Sequence, residues 1–596
     1  MPALHEPTRA LVRGPERRRI PSLVSLLATA VLLAACGGAG GPSDPASGQA
    51  AVQPTAAEAS RFLAQSTFGP SEAGITALAS QTYGEWINAQ FAAPQTLHRD
   101  HMNQRAASTT PPNYSQGHLL ESFWKQAVTG EDALRQRVAF ALSQIFVVSF
   151  NDSNVAQYPR GVASYLDMLG ANAFGNYRDL LEAVTLHPMM GLYLSHLRNQ
   201  KEDARTGRVP DENYAREVMQ LFSIGLYQLD AQGQKVLGGN GQPQDSYTAA
   251  DIQGLARVFT GFSWYAGPND ADRTDSRFFG GSANPDRDWQ PMQPYPKFHS
   301  TLEKRFLGTV IPAQTTADPR ASLKTALDTL FNHPNVGPFI GRQLIQRLVK
   351  SNPSPEYVGR VAAAFADNGA GVRGDMKAVI RAVLLDPEAR TPLASDPAEG
   401  KLREPVLRLA HWMRAFNARS TGGNFAGIDN TDDPASRLGQ SAMRSPSVFN
   451  FYRPGYVPPN TALAAQGLVA PELQLTHEVS VAGYLNYLQG WVTLNPNSTR
   501  DVRQDYSREM ALADQPTAAN PTDLVERMNL LLMGGAMSDT LRQALVTAIA
   551  GRAIPAATRD SAGNVTNQAA IDSARRDRAS IAIFLTLASP EYLAQR

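Results

Sequence analysis

The sequence predicts a mainly α protein, a large multi-helix body with long irregular loops and at most a small β-hairpin. Three observations predict it. Apolar residues recur at three- and four-residue spacing in segment after segment, the period of a helix with one buried face. No segment is convincingly strand-rich. The 46 glycines and 41 prolines among 596 residues break these segments with turns, which accounts for many loops.

The chain opens with an address. Arg13, Arg17, Arg18 and Arg19 form a basic stretch, and "LVSLLATAVLLAA" after it is too short to span a bilayer comfortably. The run ends at "LAAC", Leu33 to Cys36, small residues before a cysteine that resemble the bacterial lipobox. That resemblance implies cleavage before Cys36 and lipidation of its thiol, with residues 1–35 as lipoprotein signal peptide. Gly37, rather than Asp, follows the cysteine, which by resemblance to lipoprotein sorting signals implies the outer membrane. Residues 36–56 are rich in Gly, Ala, Pro and Ser, lack bulky apolar side chains, and read as a flexible tether.

The body, 57–596, is read helix by helix. "AAEASRFLAQSTFG" carries Phe62 and Leu63 on its apolar side and stops at Gly69. "SEAGITALASQTYGEWINAQFA" reads as a helical region broken at Gly84. Two helices follow, separated near Gly130, the second with Leu134, Val138, Ala141, Leu142 and Ile145 on one stripe. "PDENYAREVMQLFSIGLYQLD", Pro210 to Asp230, places Tyr214, Val218, Leu221 and Phe222 on one face. The Gly-rich "DAQGQKVLGGNGQPQD" after it is a hairpin or a long loop. Thr248 and Asp251 have capping-box spacing and open a helix through Ile252, Leu255, Ala256 and Phe259 to Thr260–Gly261. Residues 265–300 are polar, aromatic and proline-rich without a period, so a long surface loop is expected. Helices resume to the end of the chain. "LLDPEAR" and "LASPEYLAQR" share one start signal: Asp or Ser as cap, Pro in the first helical position, an acid near the positive end.

Several stretches together resemble one bacterial family, the DUF1800 proteins. They are "RFLAQSTFGPS", "HPMMGLYL", "PDENYAREVMQLFSIGLYQLD", "YTAADIQGLARVFTGFSW", "FHSTLEKRFLG", "GDMKAVIRAVLLDPEAR", "KLREPVLRL" and "QSAMRSPSVFNFYRPGY", in that order. The resemblance covers most of 57–596 and implies an exported bacterial protein, with a DUF1501-type protein as partner. It implies no activity. "SPSVFNFYRPGY" departs from the expected Pro-Pro-x-Val-x-Gly-Trp flavour, so the aromatic contacts of that loop differ here.

Composition narrows function. A net charge of +1 gives no electrostatic case for nucleic acid. With Cys36 the lone cysteine, an internal disulfide and a Cys-ligated metal are excluded. No HExxH pair, G-x-S-x-G elbow, Walker loop or dinucleotide fingerprint occurs in a suitable context, so no metal is expected and the cofactor is unknown.

The candidate cluster is Glu212, Asn213, Arg216, Glu217, Asp251, Arg257, His299 and Lys304. Glu212 and Arg216 stand one turn apart and opposite the apolar stripe, as a solvated i, i+4 pair does. Glu217 flanks the stripe, with Asn213 one turn before it. Covered on both sides, these residues form an ion-pair network joining helices; left open, they form a ligand site. His299 can move a proton beside Lys304, which can hold an anion; the bland alternative is a loop fixed by hydrogen bonds. Asp211, Asp230 and Asp245 beside the Gly-rich loop can offer oxygen to calcium, but without regular spacing, and a solvated turn accounts for them better. Trp264, Tyr265, Phe278, Phe279, Trp289 and Tyr295 suit either a glycan surface or a loop pinned to the body. The expectation is a lipid-anchored envelope component that binds or assembles. The alternative is an envelope polysaccharide hydrolase using Glu212, Glu217, Asp251 and His299.

Overall fold

The computed structural model describes residues 45–392, 396, 398–493, 498–513 and 522–596. The signal segment, Cys36 with its expected lipid and the first part of the tether lie outside the described residues. Helix accounts for 51% of the chain and strand for 6%, with 26 helices among the described residues, so the protein is mainly α. The strands form four antiparallel pairs of two or three residues. Lys304–Phe306 with Thr309–Ile311 is a hairpin; the other three clip remote segments together, as Lys401–Leu402 does with Ala594–Gln595. One buried apolar cluster extends from Ala59 to Tyr592, so the body shares a single large core.

Local chemistry sets most helix starts. Thr248 and Asp251 form the expected capping box. Asp386 caps Pro387–Arg390 and Ser589 caps Pro590–Leu593, each with proline in the first position, and Ser354 does the same for Pro355–Ala366. Two expectations are overturned. Pro45–Ala50, within the expected tether, is helical; just beyond it Tyr83 N–H donates to Val52 O at 3.1 Å and Gln53 Nε2 to Ala79 O at 2.7 Å. The break expected at Gly84 falls at Ser80–Thr82 instead, where Thr82 and Glu85 form a capping box. Gly84 lies inside the next helix, and glycine suits it there because a Cβ would stand 2.8 Å from Ala50 O.

Five helices frame the functional region: α1, Ala133–Ser143; α2, Asn213–Gln220; α3, Ala249–Val258; α4, Val336–Leu348; and α5, Pro405–Ala415. α1 buries its predicted stripe and most of its other face as well, Arg137 included. α2 buries Tyr214, Val218 and the following Phe222 as its pattern requires. Past α2 the bonds widen: Ile224 and Gly225 N–H both reach Met219 O. Gly225 then turns the chain at φ +72°, and a Cβ there would meet the Phe339 ring at 2.8 Å, so this position needs glycine on both counts. Buried Asn335, at the start of α4, clamps the segment in place. Its Nδ2 donates to Ile224 O and Tyr227 O at 2.7 and 2.8 Å, and its Oδ1 accepts from Leu229 N–H at 3.0 Å.

The Gly-rich stretch forms an irregular meander through single bridges Tyr227 to Asp245, Leu229 to Lys235 and Leu237 to Pro243. The region 265–300 is more ordered than expected. It holds short helical pieces at Asp270–Asp272, Asp275–Phe278 and Pro296–Phe298 over a satellite cluster of Ala266, Phe278, Tyr295 and Phe298. Arg160 pins it to the body through Asp288.

Candidate functional site

The eight residues singled out in the sequence do not share one open site. Glu212 and Arg216 form a solvent-facing ion pair at 3.6 Å, and Asn213 is exposed. Glu217 is buried, and its Oε2 has no hydrogen-bond partner among the described residues. Burial pushes its carboxyl above the usual range against the pull of Arg216. Asp251 is consumed twice, by the Thr248 cap and by Leu307 N–H at 2.7 Å. Arg257 donates to Glu303 O at 2.7 Å.

His299 is fully buried between Thr260 O, 2.8 Å from Nδ1, and Ser322 Oγ, 3.1 Å from Nε2. Burial lowers its pKa to about 4, although the Thr260 bond opposes the shift, so the ring is a neutral structural link at pH 7. Lys304 is buried in its strand, 3.3 Å from Leu302 O, and burial brings it down to about 8 despite Glu202. The convergence expected of a hydrolase site is therefore absent: an exposed pair, a helix cap and a sealed histidine have replaced it.

The aromatic residues of the long loop are largely used internally. Trp264, Phe278 and Tyr295 are buried, and Trp289 lies under Arg99 at 3.9 Å. Asp230 is occupied by the N–H groups of Gln232 and Gln234, and Asp211 by that of Asn213. Among the described residues no group of three or more His, Cys, Asp or Glu is arranged to hold a metal ion. His187 and His333 serve local turns, accepting from Met189 and Asn335 N–H.

The site-like feature lies at the other end of α2. A cleft of ≈ 760 Å³ opens between the segment Leu221–Leu229, the meander, α4 and the loop carrying Phe449 and Arg453. Its volume falls in the about 300–1,000 Å³ usual for small-molecule sites. Leu221, Leu226, Leu229, Leu237, Phe339 and Phe449 supply apolar wall. Lys235, Arg342, Arg347 and Arg453 also line it, and no Asp or Glu does. Lys235 sits over the Tyr227 ring at 4.6 Å and Arg453 over Phe449 at 4.7 Å, so each rim cation rests on an aromatic face. A second cavity of ≈ 320 Å³ near Arg61 and His411 is smaller, and Glu591 stands among the arginines that line it.

The family model described as a protein of unknown function (DUF1800) matches residues 61–594. The chain belongs to the DUF1800 family. No curated protein and no solved structure was found to match it. Three of the stretches that resemble DUF1800 proteins bear on the cleft. The second half of "PDENYAREVMQLFSIGLYQLD" forms one wall and the departing "SPSVFNFYRPGY" another, while "KLREPVLRL" lies behind its floor.

That floor is a buried charge network which sequence reasoning does not find. Arg347 of α4 reaches Gln144 O at 3.0 Å, and Arg137 of α1 reaches Arg347 O at 2.6 Å. Lys401 lies 2.9 Å from Glu472 and 3.8 Å from Glu404, and donates to Arg347 O at 2.8 Å. Glu404 also accepts from Gln440 at 2.6 Å and from Gln144. All five ionic residues are buried. Burial raises both carboxyls. At Glu404 Lys401 and Arg137 outweigh it and hold the group below its usual value; at Glu472 burial prevails. Three cations against two carboxylates leave a positive excess beneath the cleft of this DUF1800 protein. A signal did exist, Lys-x-x-Glu in "KLREP", but that spacing looks the same on a solvated surface.

Proposed function

We propose that this DUF1800 protein is a lipid-anchored component of the bacterial cell envelope that works by binding, with the apolar, cation-lined cleft as its working surface. The cleft carries this reading: recognition chemistry is concentrated there, while His299 and Asp251 are spent on structure. The lipobox-like "LAAC" and the basic, apolar leader support an outer-membrane anchor at Cys36, and family resemblance supports a DUF1501-type protein as the assembly partner. Among the described residues no helix is long and apolar enough to cross a membrane. Fractionation of cells expressing the full chain tests the placement. Outer-membrane recovery that is lost in Cys36→Ser, with a DUF1501-type protein co-purifying in stoichiometric amount, is expected. Cytosolic recovery of both forms would contradict it.

A further inference from the structure

We propose that the cleft binds a single-chain amphipathic acid, its anionic head at Arg342 and its hydrocarbon chain along the leucine and phenylalanine wall. This rests on the reading of the cleft as the binding site and adds the chemistry of what enters.

Charge narrows the ligand. Four cations and no carboxylate line one cleft of a protein whose net charge is only +1, so the excess is local. Apart from Arg347, which itself lines the cleft, the buried network behind the floor sets Arg137 and Lys401 against Glu404 and Glu472, so it does not cancel the charge of the cleft. A cation or a zwitterion with its positive end inward would meet repulsion.

Arg342 differs from the other three cations of the cleft. Arg347 is tied to Gln144 and Gln343, and Lys235 and Arg453 rest on aromatic rings. Arg342 is half-buried in the cleft wall, yet no ion pair, hydrogen bond or ring contact engages its guanidinium among the described residues. A guanidinium partly withdrawn from water and left unpaired is open to a ligand, and a carboxylate or phosphate answers it with paired, charge-assisted bonds.

The wall narrows the ligand further. Leu226 and Leu237 are 48% and 58% exposed at the cleft, beside Phe339 and Phe449. A continuous apolar surface open to water marks a binding groove, and the gain from covering it scales with the apolar area removed from water. A compact anion such as free phosphate would leave this wall wet. A nucleic acid would find too few cations along too short a path, and a neutral sugar would use neither the charge nor the leucines. A hydrocarbon chain with an acid at one end uses both. Carboxylate and phosphate monoester heads share this chemistry, and the test separates them.

Full-length protein in a nonionic maltoside detergent is photolabelled with diazirine-bearing hexadecanoic acid, the matching lysophosphatidic acid, or the matching hexadecanol, and the labelled peptides are mapped by mass spectrometry. Saturable labelling of peptides containing Leu226 and Phe449 by one or both acids, competed by the unlabelled acid, is expected, and the stronger of the two names the head group. Arg342→Gln should reduce it about tenfold, the loss of one charge-assisted hydrogen bond. Leu226→Glu alters an exposed side chain, places a carboxylate in the cleft, and should reduce labelling similarly; it carries the test alone if Arg342→Gln fails to fold by circular dichroism. Labelling of the cleft by hexadecanol as strong as by the acids would overturn the anionic ligand while leaving a binding cleft. Failure of all three probes to label the cleft would overturn both. A co-purifying polypeptide crosslinked in the cleft in place of the lipids would also overturn the proposal.

Discussion

Arg216 and Lys401 each stand a helical turn from a glutamate in the sequence, yet they differ in importance, and burial decides between them. Arg216 faces water and meets Glu212 at 3.6 Å; such pairs contribute about 0–1 kcal/mol. Lys401 is sealed between Glu404 and Glu472, and removing one partner from a buried network costs about 3–5 kcal/mol because the remaining charges are stranded. Urea unfolding at pH 7 should therefore show Lys401→Ala losing at least about 3 kcal/mol and Arg216→Ala less than about 1 kcal/mol; similar losses in the two would contradict the assignment. The sequence did carry the Glu212–Arg216 pairing and the place of Glu217 beside the apolar stripe, since both follow from helical angles within one segment. It could not carry the network, because Lys401 is buried by Arg137, Arg347 and Glu472, which arrive from remote parts of the chain.

Individual elements were legible where their cause is local. The Thr248–Asp251 box and the Asp-Pro-Glu and Ser-Pro-Glu starts all form as written, since each cap needs only three or four consecutive residues. Gly84 was misread because its cause is distant: it makes room for the Ala50 carbonyl rather than ending a helix. Gly254 of α3 is the sharper case. A Cβ there would lie 1.7 Å from Arg305 O in the hairpin strand, a backbone atom that cannot swing aside. Gly254→Ala must push the hairpin off α3, destabilising by about 3 kcal/mol or more, the upper range for overpacking. Gly117→Ala, whose Cβ meets only Ser115 Oγ at 3.6 Å, should instead be neutral or stabilising by up to about 1 kcal/mol. Thermal melts of the two variants decide this; a Gly254→Ala protein as stable as the parent would show that α3 and the hairpin are not packed as described.

At the scale of the whole molecule, the mainly α class was legible from periodicity, but the cleft was not. Its cations come from the meander, from α4 and from the Phe449 loop, and only the fold gathers them. The large core also leaves a pH signature. Burial lowers His98, His196 and His299 to about 4, and His187 and His411 to about 3. These rings stay neutral in the fold but take up protons near pH 6.5 once unfolded, so their contribution is intact above 6.5 and is lost as pH falls toward 4. Asp167, which burial raises to about 7, opposes this, as do Glu217, Glu472 and Glu509, whose carboxyls burial also raises: their protonated forms favour the fold as pH falls. The five strongly shifted histidines outweigh these carboxyls, so the urea midpoint should drop between pH 7 and pH 5; a midpoint that holds or rises would contradict the neutral buried histidines.

On the proposed function, the protein works through its cleft rather than through the polar face of α2. Affinity isolation of the full-length protein from its native membrane, with mass spectrometry of both the retained proteins and the organic extract, tests it most directly when Leu226→Glu and Arg216→Ala are run beside the parent. The expected result is that what the parent retains is lost from Leu226→Glu and kept by Arg216→Ala. Loss from Arg216→Ala with full retention by Leu226→Glu would contradict it and return the site to the polar helix face.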